Sequence, residues 1–212
     1  MKSPQFFVTG TDTSVGKTTV SALLCAALHA SYWKPIQTGS REGTDRRTVM
    51  RLAGLSASRA FPETYCFAPP VSPHLAAARA GVRIRLASIR LPAVPRGETL
   101  IVEGAGGALV PINCSQLTTD LMKQLALPVL LVSRTTLGTI NHTLLSLAAL
   151  RAARLAVRGV ILVGNANRAN HEAIEHYGRV RVLGRLPLLR ALNRNALLAA
   201  FRRHFSARDF RA

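Results

Sequence analysis

The chain has 212 residues, 48% of them hydrophobic, which suits one α/β domain over residues 1–212 with a sizeable core and excludes a disordered chain. Its 28 Lys and Arg against 10 Asp and Glu give a formal net charge of +18, but no RNP motif, zinc finger or continuous basic helix accompanies that surplus, so no nucleic acid is expected as a partner. Cys25, Cys66 and Cys114 lie far apart with no C-x-x-C, which excludes a disulfide framework and a structural zinc site and fits a reducing compartment.

Residues 5–9 are a short apolar run closing at Gly10 and read as a buried strand. The run is too short for a signal peptide or a membrane span. Residues 17–30, rich in Ala and Leu, read as a helix. Residues 32–36 read as a second short strand, limited by Pro35. Residues 44–52 have helical apolar spacing, with Asp45 near the start. Residues 62–73 hold four prolines and read as a loop, and Ser72 before Pro73 reads as the cap of a helix over 75–80. Residues 83–95 are ambiguous. Residues 99–103 (T-L-I-V-E) are a second strong strand signal, ending in Gly104-Ala105-Gly106-Gly107. A helix over 119–127 and a strand over 128–133 follow. The apolar stretch 125–132 is broken by Pro128 and is too short to cross a bilayer. Residues 140–155 read as a long apolar helix, preceded by Gly138 or Thr139. Strands are expected over 158–163 and 180–183, and a helix over 195–205.

Strands that are continuous apolar runs and alternate with helices indicate a mostly parallel sheet flanked by helices. With the loop described next, the fold class is α/β of the P-loop nucleoside triphosphate hydrolase type, and its crossovers should be right-handed. The surplus charge is almost all Arg, and the residues from Arg179 onward carry nine Arg against the single acid Asp209. It reads as Arg-rich composition over solvated surface. A soluble cytoplasmic protein with no membrane attachment is expected.

The strongest local signal is Gly10-Thr11-Asp12-Thr13-Ser14-Val15-Gly16-Lys17-Thr18, between the first strand and the first helix. Backbone N–H groups of such a loop and of the helix N-terminus point at phosphate oxygens. Lys17 would neutralise the β and γ phosphates of ATP, and the Thr18 hydroxyl would hold Mg²⁺. The usual G-x-x-x-x-G-K-[ST] spacing wants Gly at position 11, where this chain has Thr11, with Gly10 one residue earlier. Mg²⁺ prefers oxygen ligands, one or two carboxylates beside the phosphates. Glu103, ending a strand where open α/β sheets place ligands, and Asp45, after the second strand, are the candidates.

The loop G-T-D-T-S-V-G-K-T resembles that of the dethiobiotin synthetase family. Four further stretches agree and occur in the family's order. They are Tyr32-Trp33-Lys34-Pro35-Ile36-Gln37-Thr38-Gly39, Ser72-Pro73-His74-Leu75-Ala76-Ala77, Val102-Glu103-Gly104-Ala105-Gly106-Gly107 and Leu137-Gly138-Thr139-Ile140-Asn141-His142. The resemblance implies ring closure of 7,8-diaminononanoate with CO₂ and ATP, giving dethiobiotin, ADP and phosphate in biotin biosynthesis. One amine captures CO₂ as a carbamate, the carbamate oxygen attacks the γ-phosphate, and the second amine attacks the mixed anhydride. It implies Lys34 and Lys17 as catalytic residues, Thr11 and Thr38 near the substrate, and Thr18, Asp45 and Glu103 around Mg²⁺. ATP would be held by Thr13, Ser14, Val15, Gly16, Lys17, Thr18, Thr19, Asp45, Glu103, Gly104, Ala105 and Gly106. Its base would be read by Asn165, with Asn167 and Asn170 close by, and by the loop Leu186-Pro187-Leu188-Leu189. Residues 138–142 would take part in a homodimer contact, with His142 structural and not a catalytic base.

Two rivals share the fold. A cobyrinate-type amidase needs a glutaminase domain, which does not fit in 212 residues. A ParA- or MinD-like nucleotide switch, binding DNA or membrane, would carry a signature Lys five residues before Lys17. That position is Asp12.

Overall fold

The computed structural model describes residues 4–211. The chain order is β1 (Gln5–Gly10), α1 (Lys17–Leu28), β2 (Ser31–Trp33), β3 (Ile36–Gln37), α2 (Asp45–Ala53), β4 (Ala60–Phe61), β5 (Tyr65–Cys66), α3 (Pro73–Arg79), β6 (Leu100–Gly107), α4 (Thr118–Leu125), β7 (Val129–Arg134), α5 (Thr139–Ala152), β8 (Val157–Val163), α6 (Arg168–Gly178), β9 (Val182–Leu186) and α7 (Arg194–His204). Seven strands form one sheet in the order β4–β2–β6–β1–β7–β8–β9, and each pairing in it is parallel.

The continuous apolar runs have a simple origin, because both faces of the sheet are covered. Phe6, Val8, Ile101, Leu130, Val132 and Ile161 point to one core, shared with Leu23 and Leu24 of α1, Leu52 of α2 and Phe201 of α7. Their neighbours Phe7, Leu100, Val102, Leu131, Val160 and Leu162 point to the other, shared with Met122 of α4, Leu147 and Leu150 of α5 and Ile174 of α6. No helix among the described residues is long and apolar enough to cross a membrane.

Several expected boundaries move, each for a local reason. The strand expected over 32–36 is split. β2 ends at Trp33, while Ile36–Gln37 pairs with Tyr65–Cys66 in a separate two-stranded sheet. Pro35 sits at the break, and its carbonyl accepts from the N–H groups of Thr64 and Tyr65. The loop expected over 62–73 therefore contains a short strand. The helix expected over 75–80 starts at Pro73, and the Ser72 hydroxyl bonds His74 Nδ1 at 3.0 Å instead of capping it. β6 runs through its glycines to Gly107, which pairs with Gly10. The strand expected over 180–183 lies at Val182–Leu186. Gly184 is inside it with φ 157°, and a side chain there would meet the Phe205 ring at 2.4 Å. α6 was not expected at all. Its sequence is polar, with Ile174 and Gly178 its buried residues, and Asn167 caps it by accepting from Asn170 N at 3.0 Å.

The Arg surplus has a structural account beyond solvated surface. Arg46, Arg59, Arg134, Arg151, Arg158, Arg185 and Arg194 donate to main-chain carbonyls. Arg194 Nε reaches Ala53 O, at the C-terminus of α2, at 3.1 Å. Arg151 Nη2 reaches Gly178 O at 2.5 Å and Arg179 O at 3.0 Å, where α6 ends. Helix C-termini leave carbonyls unpaired and carry partial negative charge, so a guanidinium there satisfies both. Arg59 pairs with Glu98 as well, at 3.2 Å. Arg151→Ala is expected to lower the unfolding free energy by about 1 kcal/mol. The change should appear as a shift of the urea midpoint at unchanged slope, and an unmoved midpoint would remove the capping role.

Candidate active site

β1 is the point where the sheet's winding divides. From β1 the chain passes through α1 to β2 on one side, while β6, beside β1, leads through α4 to β7 on the other. Open α/β sheets bind ligands in the crevice at the carboxyl ends of such strands. The strand register then decides which side chains meet. Val8 lies beside Glu103, and Trp33 beside Val102, so Lys34 follows Trp33 just where Glu103 follows Val102.

The loop from Gly10 to Lys17 closes tightly. Lys17 Nζ donates to Asp12 O at 2.8 Å, curling the loop over its own lysine. A side chain at position 10 would meet Val15 Cγ2 at 2.7 Å and Asp12 O at 2.8 Å. This explains the unusual spacing, because the residue that must lack a Cβ is Gly10, while Thr11 donates its N–H to Val132 O at 2.9 Å. Gly16, with φ 102°, caps α1 in a left-handed conformation. Ser14 is also left-handed, with φ 52°, and Arg134 Nη2 donates to its carbonyl at 2.9 Å. Asp12, where a switch protein would carry its lysine, turns its carboxylate onto Thr13 N at 2.6 Å. Burial pulls the Lys17 ammonium down to about 8, with Glu103 opposing that fall.

Thr18, Lys34, Asp45 and Glu103 come together as expected. Thr18 Oγ1 lies 2.9 Å from Asp45 Oδ1 and 2.9 Å from Glu103 Oε1, and donates its single proton to one of them at a time. Lys34 Nζ is 2.5 Å from Asp45 Oδ2 and 3.1 Å from Glu103 Oε1. Glu103 has no exposed surface, and its Oε2 accepts from the buried Tyr32 hydroxyl at 3.0 Å. Asp45 is fixed at the N-terminus of α2, where its N–H donates to Gln37 Oε1 at 3.1 Å. Burial alone would lower the Lys34 ammonium, but Glu103 and Asp45 outweigh it and hold it above 10.5. Burial likewise pushes the Asp45 carboxyl up, and Lys34 and Thr18 bring it below its usual range. Burial and the Glu103 charge push the Tyr32 phenol well above 10.0, so it stays a donor.

One hydroxyl and two carboxylates form a hard oxygen set of the kind Mg²⁺ accepts, with room in its shell for phosphate and water. Among the described residues no group of three or more His, Cys, Asp or Glu could hold a metal.

Beside the loop lies a cavity of about 420 Å³ lined by Ser14, Val15, Gly16, Arg134, Val163, Asn165, Asn167 and Leu188, among others. Asn167 spends its amide oxygen on capping α6, whereas Asn165 is exposed at the cavity wall. Leu188 is 70% exposed there, and Pro187 precedes it. Gly104, Ala105 and Gly106 continue β6 alongside the loop, where Gly107 pairs with Gly10. Thr13 is exposed, Thr19 is half-buried on α1, and Thr11 and Thr38 are half-buried. His142 is exposed at the start of α5 and bonds through its backbone. Sequence reasoning gave no role to Tyr32, although it opens one of the family stretches, or to Arg134; the strand register and the loop's fold reveal their contacts.

The AAA domain family matches residues 4–196. An ATP-dependent dethiobiotin synthetase BioD of Novosphingobium aromaticivorans is 51% identical over 205 residues, 97% of this chain and 98% of the relative. A protein of the same name from Rhodopseudomonas palustris is 48% identical over 208 residues, 98% of this chain and 97% of the relative. Among solved structures, a ParA family ATPase from Chlorobium tepidum shares the fold at TM-score 0.51 and 13% identity, covering 93% of this chain and 90% of that one.

Gly10→Ala is expected to weaken ATP binding by about tenfold or more, since the added methyl must displace Val15 or the Asp12 carbonyl. Fluorescence titration with an ATP analogue measures it. Unchanged affinity in a variant of native circular dichroism would contradict this account of the loop.

Proposed function

The chain belongs to the ATP-dependent dethiobiotin synthetase family, and on that premise we propose how its residues divide the work. The protein is an ATP-dependent ligase that forms dethiobiotin in biotin biosynthesis. Its substrates besides ATP are 7,8-diaminononanoate and CO₂, taken up by one ATP-binding domain over residues 1–212. We place the protein in the cytoplasm.

The observation that carries this reading is the meeting of Lys34 with Asp45, Glu103 and Thr18 at the mouth of the phosphate loop. The reaction must bring a carbamate anion against the terminal phosphate of ATP. Such a step depends on positioning and on fixed positive charge, not on a protein nucleophile. Lys17 leans over the β and γ phosphates from inside the loop. Lys34 faces the site from the end of β2 and stabilises the carbamate oxygen as it attacks phosphorus. The residues holding Mg²⁺ are Thr18, Asp45 and Glu103, and the ion when bound screens the phosphate charge. Backbone N–H groups of Thr13, Ser14, Val15 and Gly16 and the start of α1 at Lys17, Thr18 and Thr19 cradle the phosphates. Thr11 and Thr38 hold the carbamate end. Gly104, Ala105 and Gly106 let nucleotide approach the end of β6 without side chains intervening. Asn165, whose amide is not engaged in capping as that of Asn167 is, reads the base with Pro187 and Leu188 across the cavity.

We also propose a homodimer through the start of α5. Leu137 is 103% exposed and Leu145, on the outer face of that helix, 61%.

Phosphate release from ATP is expected only when diaminononanoate and bicarbonate are both present. Release that ignores them would refute ring closure. Lys34→Gln should lower turnover by roughly 10²-fold or more while ATP affinity changes little. A variant with near-normal rate would take Lys34 out of its role.

A further inference from the structure

Tyr32 has no exposed surface and sits in the middle of β2, opposite Ile101 of β6. Side chains two apart on a strand share a face, so Tyr32, Ile101 and Glu103 all point toward α1. An aromatic ring can reach diagonally across a strand pair. Tyr32 does so, and its hydroxyl meets Glu103 Oε2 at 3.0 Å. That leaves Oε1 as the oxygen facing Thr18 Oγ1 and Lys34 Nζ, at 2.9 and 3.1 Å.

We propose that Tyr32 is a positioning residue of the metal site, holding one oxygen of Glu103 so that the other is presented to the ion. The inference rests on the reading of Glu103 as a Mg²⁺ ligand and deepens it. The argument is geometric. A carboxylate on an otherwise apolar strand end can turn about its terminal torsion, and that torsion is broad unless something pins it. Lys34 and Thr18 both meet Oε1, the oxygen that an ion would take, so Tyr32 on Oε2 is the partner that need not yield when the ion binds. Tyr32 is anchored on a strand within the core shared by α1, α2 and the sheet. Partners behind a metal ligand commonly change metal affinity by about 10- to 100-fold when removed. A phenol kept only to fill the core would be replaceable by Phe without any effect on the metal.

The test uses the full chain and Mn²⁺ as the probe, with free ion measured by electron paramagnetic resonance in the presence of ADP. Tyr32→Phe is expected to weaken Mn²⁺ binding by about tenfold or more, with ADP affinity in the absence of metal changed less than twofold. Mn²⁺ affinity equal to that of the unaltered protein overturns the proposal. Glu103→Gln run alongside separates the two levels of the argument. If it keeps full Mn²⁺ affinity, Glu103 is not a ligand and the reading beneath falls too. If it loses affinity and Tyr32→Phe does not, only the positioning role falls. A second measurement needs no folded variant at position 32. With 3-fluorotyrosine at Tyr32, Tyr65 and Tyr177, the resonances being assigned by Tyr65→Phe and Tyr177→Phe, Mg²⁺ added to the ADP complex should move the Tyr32 signal and leave the other two. A Tyr32 signal that does not move overturns the proposal.

Discussion

A carboxylate with no exposed surface ends a strand made otherwise of apolar side chains, and much of the molecule is arranged around the need to satisfy it. Unpaired, a buried charge costs several kcal/mol. Glu103 meets three donors, from Thr18, Tyr32 and Lys34. They come from the first turn of α1 and from the end of β2, segments that only the order β2–β6–β1 brings to one place. Asp45 joins from α2 and shares Lys34. Fold and site are thus coupled through one ion cluster. A two-charge, two-carboxylate arrangement of Lys17, Lys34, Asp45 and Glu103 is close to neutral on its own, so a triphosphate entering it needs further positive charge. The oxygen set at Thr18 is where that charge would be received.

What was legible in the sequence follows from this coupling. The phosphate loop, Lys34, Asp45 and Glu103 were readable because each stands beside a strong local signal, a strand end or a glycine run. The apolar and Ala-rich segments were readable from their own composition. Tyr32 was not, because a Tyr inside a short strand has no spacing to mark it, and its partner is 71 residues away in the chain. Arg134 holds the loop through Ser14 at a separation of 120 residues and was hidden likewise. α6 was missed because its sequence is mostly polar, with Ile174 and Gly178 as its buried residues. The Asn167 cap and the i,i+4 pair Arg168–Glu172 were the available signals. The strand placed over 180–183 continues past Gly184, where a side chain would meet the Phe205 ring.

The basic composition was the feature most open to a functional reading, and the structure gives it a different cause. Arginines that end on helix C-termini and loop carbonyls serve the backbone. Guanidinium suits this work, since its planar donors reach two carbonyls at once, as Arg151 does. A chain that uses Arg this way accumulates positive charge without needing acids to match it. Net charge then says little about partners, and the weight of the functional argument returns to the site.

The fold alone would not have decided between a synthetase and a nucleotide switch. A ParA family ATPase matches the architecture at 13% identity, and one architecture can host unrelated functions. The difference lies in two positions. At Asp12 the chain carries an acid that folds back onto Thr13 N, so the loop offers no side-chain cation to a facing molecule. At Lys34, just past the end of β2, it places a buried cation 3.1 Å from Glu103 Oε1. Moving the positive charge from the loop's outer rim to the floor changes what the terminal phosphate meets. Lys34 is held inside the site between Asp45 and Glu103, so it is not a cation displayed on the surface.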